Sequence, residues 1–205
     1  MNGNKRQTLA HIKQKKMRKL RTIEMQRLSV DEFHEAQKLP LIVVLDDVRS
    51  LHNVGSVFRS SDAFRVEAVY LCGITATPPH PEIHKTALGG EDSVRWRYFE
   101  SATDAVRELQ QEGVFVYSIE QVEGSTKLQT LQLDTQKRYA VVFGNEVKGV
   151  HQEVVDLSDG CLEIPQFGTK HSLNVSVTAG IVIWEVAKRF IDKMLNGCAS
   201  RNVEC

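Results

Sequence analysis

No C-x-x-C pair, no G-x-G-x-x-G turn after the first apolar run and no G-x-x-x-x-G-K-[ST] loop occurs in the 205 residues. The last two absences make nicotinamide and nucleoside triphosphate poor guesses as ligands. The four cysteines, Cys72, Cys161, Cys198 and Cys205, are scattered, and the first two sit in strand-like apolar runs where a thiol behaves as a small hydrophobe. That usage points to a reducing, cytoplasmic setting. There is no G-x-S-x-G elbow and no cysteine with a histidine beside it, so covalent catalysis has no support. No apolar run approaches the length of a membrane span, and the basic N-terminus lacks the apolar stretch of a signal peptide, which leads us to expect a soluble, unprocessed chain. His80, Glu82 and His84 could share one side of a helical turn, but Pro81 interrupts them and no third ligand stands at useful spacing. No metal is expected.

The chain also lacks net charge: 26 Lys and Arg balance 26 Asp and Glu. The balance hides a segregation. Residues 1–39 hold ten Lys and Arg against four Asp and Glu, so the remainder is acidic by the same margin. Lys13, Lys15, Lys16, Arg18, Lys19 and Arg21 crowd a segment whose Leu9, Ile12, Met17, Leu20, Ile23 and Leu28 are spaced roughly as one helical face. Two readings fit: a solvated basic helix packed on a core, or an arm whose self-repulsion is relieved by a phosphate backbone. Either way the expectation is a basic helical extension over 1–39, a main domain over 40–197 and a short tail over 198–205.

What is present after the arm is a β-α-β rhythm. Leu41–Leu45, Ala68–Cys72, Val114–Ser118 and Tyr139–Phe143 are apolar and β-branched or aromatic, the mark of strands buried on both faces of a parallel sheet. Residues 95–99 and Cys161–Ile164 predict two further short strands. Helical spacing appears in Asn53–Phe64, Ala102–Gln111 with Gly113 as its cap, and His151–Leu157. The last helix, Asn174–Leu195, is apolar on two sides, Val177, Ile181, Trp184 and Ile191 on one and Val182, Val186, Phe190 and Met194 on the other. One side can cover the sheet; the other is buried within the chain or by a second subunit, and the second subunit is the economical choice.

Three loops follow three of these strands and so fall on one edge of a parallel sheet, where ligands bind. One holds Asn53, Gly55 and Arg59, one holds Gly144, Asn145, Glu146 and Gly149, and one runs from Ile164 to Ser176. In the last, Pro165 stops the ladder, Gly168 permits a turn or close approach, and Ser172 or Asn174 can cap the helix that follows. Taken alone it also reads as an ordinary strand-to-helix turn.

Together, Asn53-x-Gly55-x-x-x-Arg59, Phe143-Gly144-Asn145-Glu146-x-x-Gly149 and Ile164-Pro165-x-x-Gly168-x-x-x-Ser172-Leu173-Asn174-Val175-Ser176-Val177 closely resemble the three motifs of the SpoU/TrmH family of SPOUT RNA methyltransferases. The resemblance spans about residues 40–195. It implies an α/β fold with a deep C-terminal trefoil knot, a homodimer formed through the C-terminal helix, and S-adenosylmethionine as methyl donor to a ribose 2′-hydroxyl. It further implies that backbone around Gly144, Ile164 and Leu173 holds the cofactor, with Ser118 at a neighbouring strand end a weaker candidate. Arg59 corresponds to the family's catalytic arginine, and Asn53, Glu146, Ser172 and Asn174 to its polar supporting residues. A guanidinium is a poor base, so its expected part is to align the RNA phosphate and 2′-oxygen and to stabilise developing alkoxide.

The resemblance leaves the RNA open. Thirty-nine residues are too few for the globular N-terminal domain of some ribosomal RNA relatives, and a basic extension resembles the tRNA enzymes, with a D-loop guanosine favoured over a wobble nucleotide. Against this, the chain ends soon after its last helix. Ribosomal RNA, or a non-catalytic RNA-binding role on the same fold, are the alternatives.

Overall fold

The computed structural model describes residues 17–25 and 27–199. Seven strands form one wholly parallel sheet in the order β3-β2-β1-β6-β4-β7-β5. They are β1 (Leu39–Asp46), β2 (Val66–Cys72), β3 (Trp96–Phe99), β4 (Phe115–Ile119), β5 (Thr126–Lys127), β6 (Tyr139–Phe143) and β7 (Gly160–Glu163). The central pair is the most apolar: β1 meets β6 from Leu41 opposite Tyr139 to Leu45 opposite Phe143. Their side chains alternate between two cores. Leu41, Val43, Leu45, Val141 and Phe143 face α2 (Leu51–Ala63), α3 (Pro81–Ala87) and α7 (Val175–Ala199), while Ile42, Val44, Ala140 and Val142 face α5 (Ala102–Gln111) and α6 (Gln152–Leu157). Burial on both faces is why these strands are continuous apolar runs rather than alternating ones.

Pro40, the expected first residue of the main domain, lies inside β1. It sits at a register break between Leu39 and Ile42, the kind of irregularity at which a residue without an N–H is tolerated in a sheet. The core also reaches further toward the N-terminus than residue 40. A short helix α1 (Val30–Glu35), capped by Ser29 and Glu32 in a reciprocal box, buries Phe33 against it, and His34 Nε2 donates to Ser93 O at 3.0 Å.

The basic segment differs from the expected helix. Arg18, Lys19 and Arg21 lie in irregular chain leading to a single 3-10 turn, Thr22–Met25. Met17, Leu20 and Ile23 are exposed, so no apolar face is packed, and Glu24 instead draws Arg18 and Arg21 into a local ion cluster. Lys13, Lys15 and Lys16 lie outside the described residues.

The two-sided character of α7 is present. Val182, Val186 and Phe190 are buried with Ala179, Ile183 and Ala187, whereas Val177, Ile181 and Trp184 stand 50%, 39% and 49% exposed, an apolar stripe open to solvent on the single chain. Helix α2 packs unusually closely on α3 because Gly55 leaves no side chain between them; a Cβ there would lie 2.3 Å from Ile83 O. Among the described residues no helix is long and apolar enough to cross a membrane.

Candidate active site

The carboxyl ends of β1, β6 and β7 carry the three loops, and a chain of hydrogen bonds ties them together. Ser50 caps α2 by accepting from Asn53 N at 3.3 Å, which fixes the start of that helix. Glu146, from the loop after β6, then receives Ser50 N and Asn53 Nδ2 on one carboxylate oxygen and Arg49 N on the other, each at 3.0 Å. Asn53, buried in the first turn of α2, accepts in turn from Asn174 Nδ2 at 3.1 Å. Asn174 caps α7 through its amide oxygen, which accepts from Ser176 N at 2.9 Å. Glu146, Asn53 and Asn174 are thus one unit. Burial raises the Glu146 pKa, but the donors from Arg49, Asn53 and Ser50 outweigh it and hold the carboxyl below its ordinary value. An ionised group already accepting three hydrogen bonds orients its neighbours rather than removing a proton.

The loop after β6 is also bound to itself and to β1. Asn145 donates to Asp47 O at 2.8 Å, accepts from Val147 N at 2.9 Å, and exchanges backbone bonds with Gly149. At Gly144 the two limbs touch: a Cβ would stand 2.0 Å from Gly149 C and 2.1 Å from Val150 N. Only glycine fits there.

The other residues named from sequence are placed less centrally. Arg59 projects into solvent six residues after Asn53, about 9 Å along the helix, and makes no hydrogen bond or ion pair among the described residues. Ser172 is exposed and likewise without a hydrogen bond among them, although its neighbour His171 is held through its carbonyl by Gln121 Nε2 at 2.8 Å. Ser118 is fully buried, its Oγ 2.8 Å from that of Ser158, so its side chain is engaged inside the domain. The histidines once considered for metal have other partners: His80 caps α3, His84 pairs with Glu91, and Glu82 serves Lys85 and His52.

Sequence reasoning missed Asp46 and His151. Asp46 is a buried acid at the last position of β1, and it accepts from both the backbone N–H and Nδ1 of His151, at 3.0 and 2.9 Å. The hydrogen bond and charge of Asp46 raise the His151 pKa against the opposing effect of burial. One ligand-type atom from each of Asp46, Asp47 and His151 lies within 4.8 Å of the others, and the cluster is held together by the Asp46–His151 hydrogen bond. A buried Asp ending an otherwise apolar strand was the available signal.

A cavity of about 500 Å³ lies elsewhere, beside the edge strand β3, lined among others by His34, Tyr70, Glu91, Arg95 and Trp96. The chemistry of the three loops, not the size of a hole, marks the site. Among the described residues no hydrogen bond joins 165–170 to the rest of the chain, so their main-chain donors and acceptors stand open. They are flanked by half-buried Ile164 and by Leu173, which is 39% exposed. Apolar surface next to open backbone groups suits an adenosyl group, which needs a slot for its base and a few main-chain hydrogen bonds.

A wholly parallel sheet with three polar loops wired together at its carboxyl edge, and no glycine-rich phosphate turn after β1, is an α/β fold with a loop-built candidate site. Residues 40–184 match the model of the SpoU rRNA Methylase family. The chain belongs to that family, a family of RNA 2′-O-methyltransferases that draw the methyl group from S-adenosylmethionine. It is 30% identical to the tRNA (guanosine(18)-2′-O)-methyltransferase of Thermus thermophilus over 81% of this chain and 84% of that one. It is 32% identical to the 23S rRNA (guanosine-2′-O-)-methyltransferase RlmB of Xylella fastidiosa over 73% of this chain, which spans only 59% of that longer protein. Among solved structures, the AdoMet-bound rRNA methyltransferase of Sinorhizobium meliloti aligns with a TM-score of 0.68 at 25% identity, covering 75% of this chain and 61% of that one.

Proposed function

We propose that the protein methylates a ribose 2′-hydroxyl of a cytoplasmic tRNA, with a D-loop guanosine the favoured target. The observation that carries the choice of tRNA is similarity over most of both chains to the Thermus tRNA (guanosine(18)-2′-O)-methyltransferase, against partial coverage of the longer RlmB protein. The clustered basic residues preceding β1 support an RNA partner.

When bound, S-adenosylmethionine supplies a methyl group made electrophilic by its sulfonium. The residues of this chain have the rest of the work. Gly144, Ile164 and Leu173 would hold the cofactor through backbone and apolar contact. Glu146, Asn53 and Asn174 lock the three loops in register, and Ser172 lies on the third of them, just before Asn174. Arg59, charged and unengaged, aligns the RNA phosphate and the attacking 2′-oxygen and stabilises alkoxide as its proton leaves. No metal enters this scheme.

The same reading includes the knot and the dimer. Threading is supported by the strand order, since β6 enters between β1 and β4 and α7 then returns from β7 to pack on α2 and β1. A second copy of the chain is the proposed cover for Val177, Ile181 and Trp184 on α7. Trp184→Arg would place an unpaired charge in that contact at a cost of several kcal/mol, of order 3 to 5. Sedimentation equilibrium should show a wild-type dimer and a monomeric variant; a monomeric wild type at micromolar concentration refutes the dimer.

Incubating the protein with S-adenosylmethionine and single tRNA species tests the function, because a methylated 2′-oxygen cannot attack its own phosphate. One position resistant to alkaline cleavage in the D-loop is expected. A resistant site confined to 23S rRNA would move the target to ribosomal RNA, and no resistant site on either would leave a binding protein.

A further inference from the structure

The loop 144–150 is anchored at its start by Asn145 and Glu146, both bonded to the segment 47–53. Its far end needs a separate anchor, since nothing in that network reaches past Gly149. Asp46 provides it. Its carboxylate is buried to 3% exposure at the tip of the central strand and takes two donors from residue 151, while Val150 N bonds Glu120 Oε2 at 3.1 Å. His151 Nε2 also stands 3.7 Å from Asp47 Oδ2, so one imidazole spans both carboxylates. We infer that Asp46 and His151 form a clasp that holds the second limb of this loop against β1 and thereby positions Gly144 and Glu146 for cofactor binding. The inference rests on reading the loop as part of the cofactor site. Both are positioning residues; neither need touch the reacting atoms.

The clasp has a pH signature that a packing contact lacks. The groups facing it are Asp46 at the end of β1, Asp47 just after it, Lys148 and Glu120 from the loops beside it, and Cys72 at the end of β2, which itself feels Asp104 of α5. The hydrogen bond and charge of Asp46 raise the His151 pKa in the folded chain. The sign follows: the ion pair is complete below about 6.5, the ordinary histidine value, and is lost as pH rises through the raised folded value. Neutral imidazole still donates one hydrogen bond to Asp46 but without the charge.

Titration calorimetry of S-adenosylmethionine into the full chain between pH 6 and 9 tests this, using wild type, Asp46→Asn, His151→Ala and His151→Gln. Wild-type affinity should fall by about threefold across the range through the partly exposed ion pair, over and above the titration of the cofactor's own amino group near 8. Asp46→Asn and His151→Ala should each weaken binding by about tenfold, the usual effect of losing a charge-assisted hydrogen bond. His151→Gln, which can still donate to Asp46, should recover most of the affinity at high pH and lose the extra pH dependence. Variants that bind like wild type, or a pH dependence unchanged in His151→Gln, overturn the clasp while leaving the cofactor site standing. A wild type that binds no S-adenosylmethionine at any pH overturns the site itself, and the clasp with it. Should Asp46→Asn fail to fold, the half-exposed His151 variants carry the test alone.

Discussion

Replacing Arg59 by alanine is expected to slow methyl transfer by on the order of a hundredfold or more, the usual effect of removing one charged donor from a transition state. The same change should leave S-adenosylmethionine affinity and thermal stability as they are. The expectation of an isolated kinetic effect comes from the structure: the side chain is exposed on α2 and engages no partner among the described residues, so its loss leaves no buried group unsatisfied. Single-turnover rates with saturating tRNA separate the step from binding. An Arg59→Ala protein of undiminished rate would remove the arginine from the chemistry. A variant that is slow only because its RNA affinity has collapsed would make it a binding residue.

Gly144→Ala should act in the opposite manner, through the loop and not through the reaction. The added Cβ would need to occupy the space of Gly149 C and Val150 N, which are backbone atoms and cannot rotate away. Overpacking of this kind costs about 3 kcal/mol, and for a domain of this size that lowers the melting temperature by roughly 6 to 12 °C. Cofactor affinity should fall more than tenfold, because the displaced limb carries Glu146 and its bonds to Arg49, Ser50 and Asn53. Calorimetric melting and cofactor titration check the two parts. A stable variant with native affinity would show that the limbs separate freely.

How far the sequence foretold these features depended on whether they were written locally. The runs Leu41–Leu45, Ala68–Cys72 and Tyr139–Phe143 named the strands of the sheet centre because burial on both faces leaves a continuous apolar signature. Helix α5 was legible to the residue, bounded by the Ser101 cap and Gly113. Strand β5 was not, since Thr126 and Lys127 have no pattern of their own and pair only because β7 offers an edge. Helix α4 (Gly90–Ser93) was hidden by its two leading glycines. The basic arm misled for a related reason: helical spacing was present in Met17, Leu20 and Ile23, but no facing surface rewards it. At the site, the motif residues Asn53, Glu146 and Asn174 were legible as types in order. Their mutual hydrogen bonds were not, because each spans about 90 to 120 residues of chain. Asp46 and His151, 105 residues apart, had no local pattern to announce them.

The placing of β6 beside β1 has a consequence for how the protein is made. Leu41 finds its partner Tyr139 only after 98 further residues have been synthesised. At roughly 5 to 20 residues per second, one edge of the most apolar strand in the molecule waits about 5 to 20 seconds at the ribosome for its neighbour. During that interval β2 can dock on one side, while Val43, Val44 and Leu45 present an open edge to any other extended chain. Nascent chains stalled before residue 139 should therefore bind holdase chaperones and self-associate, and those released after α7 is complete should not.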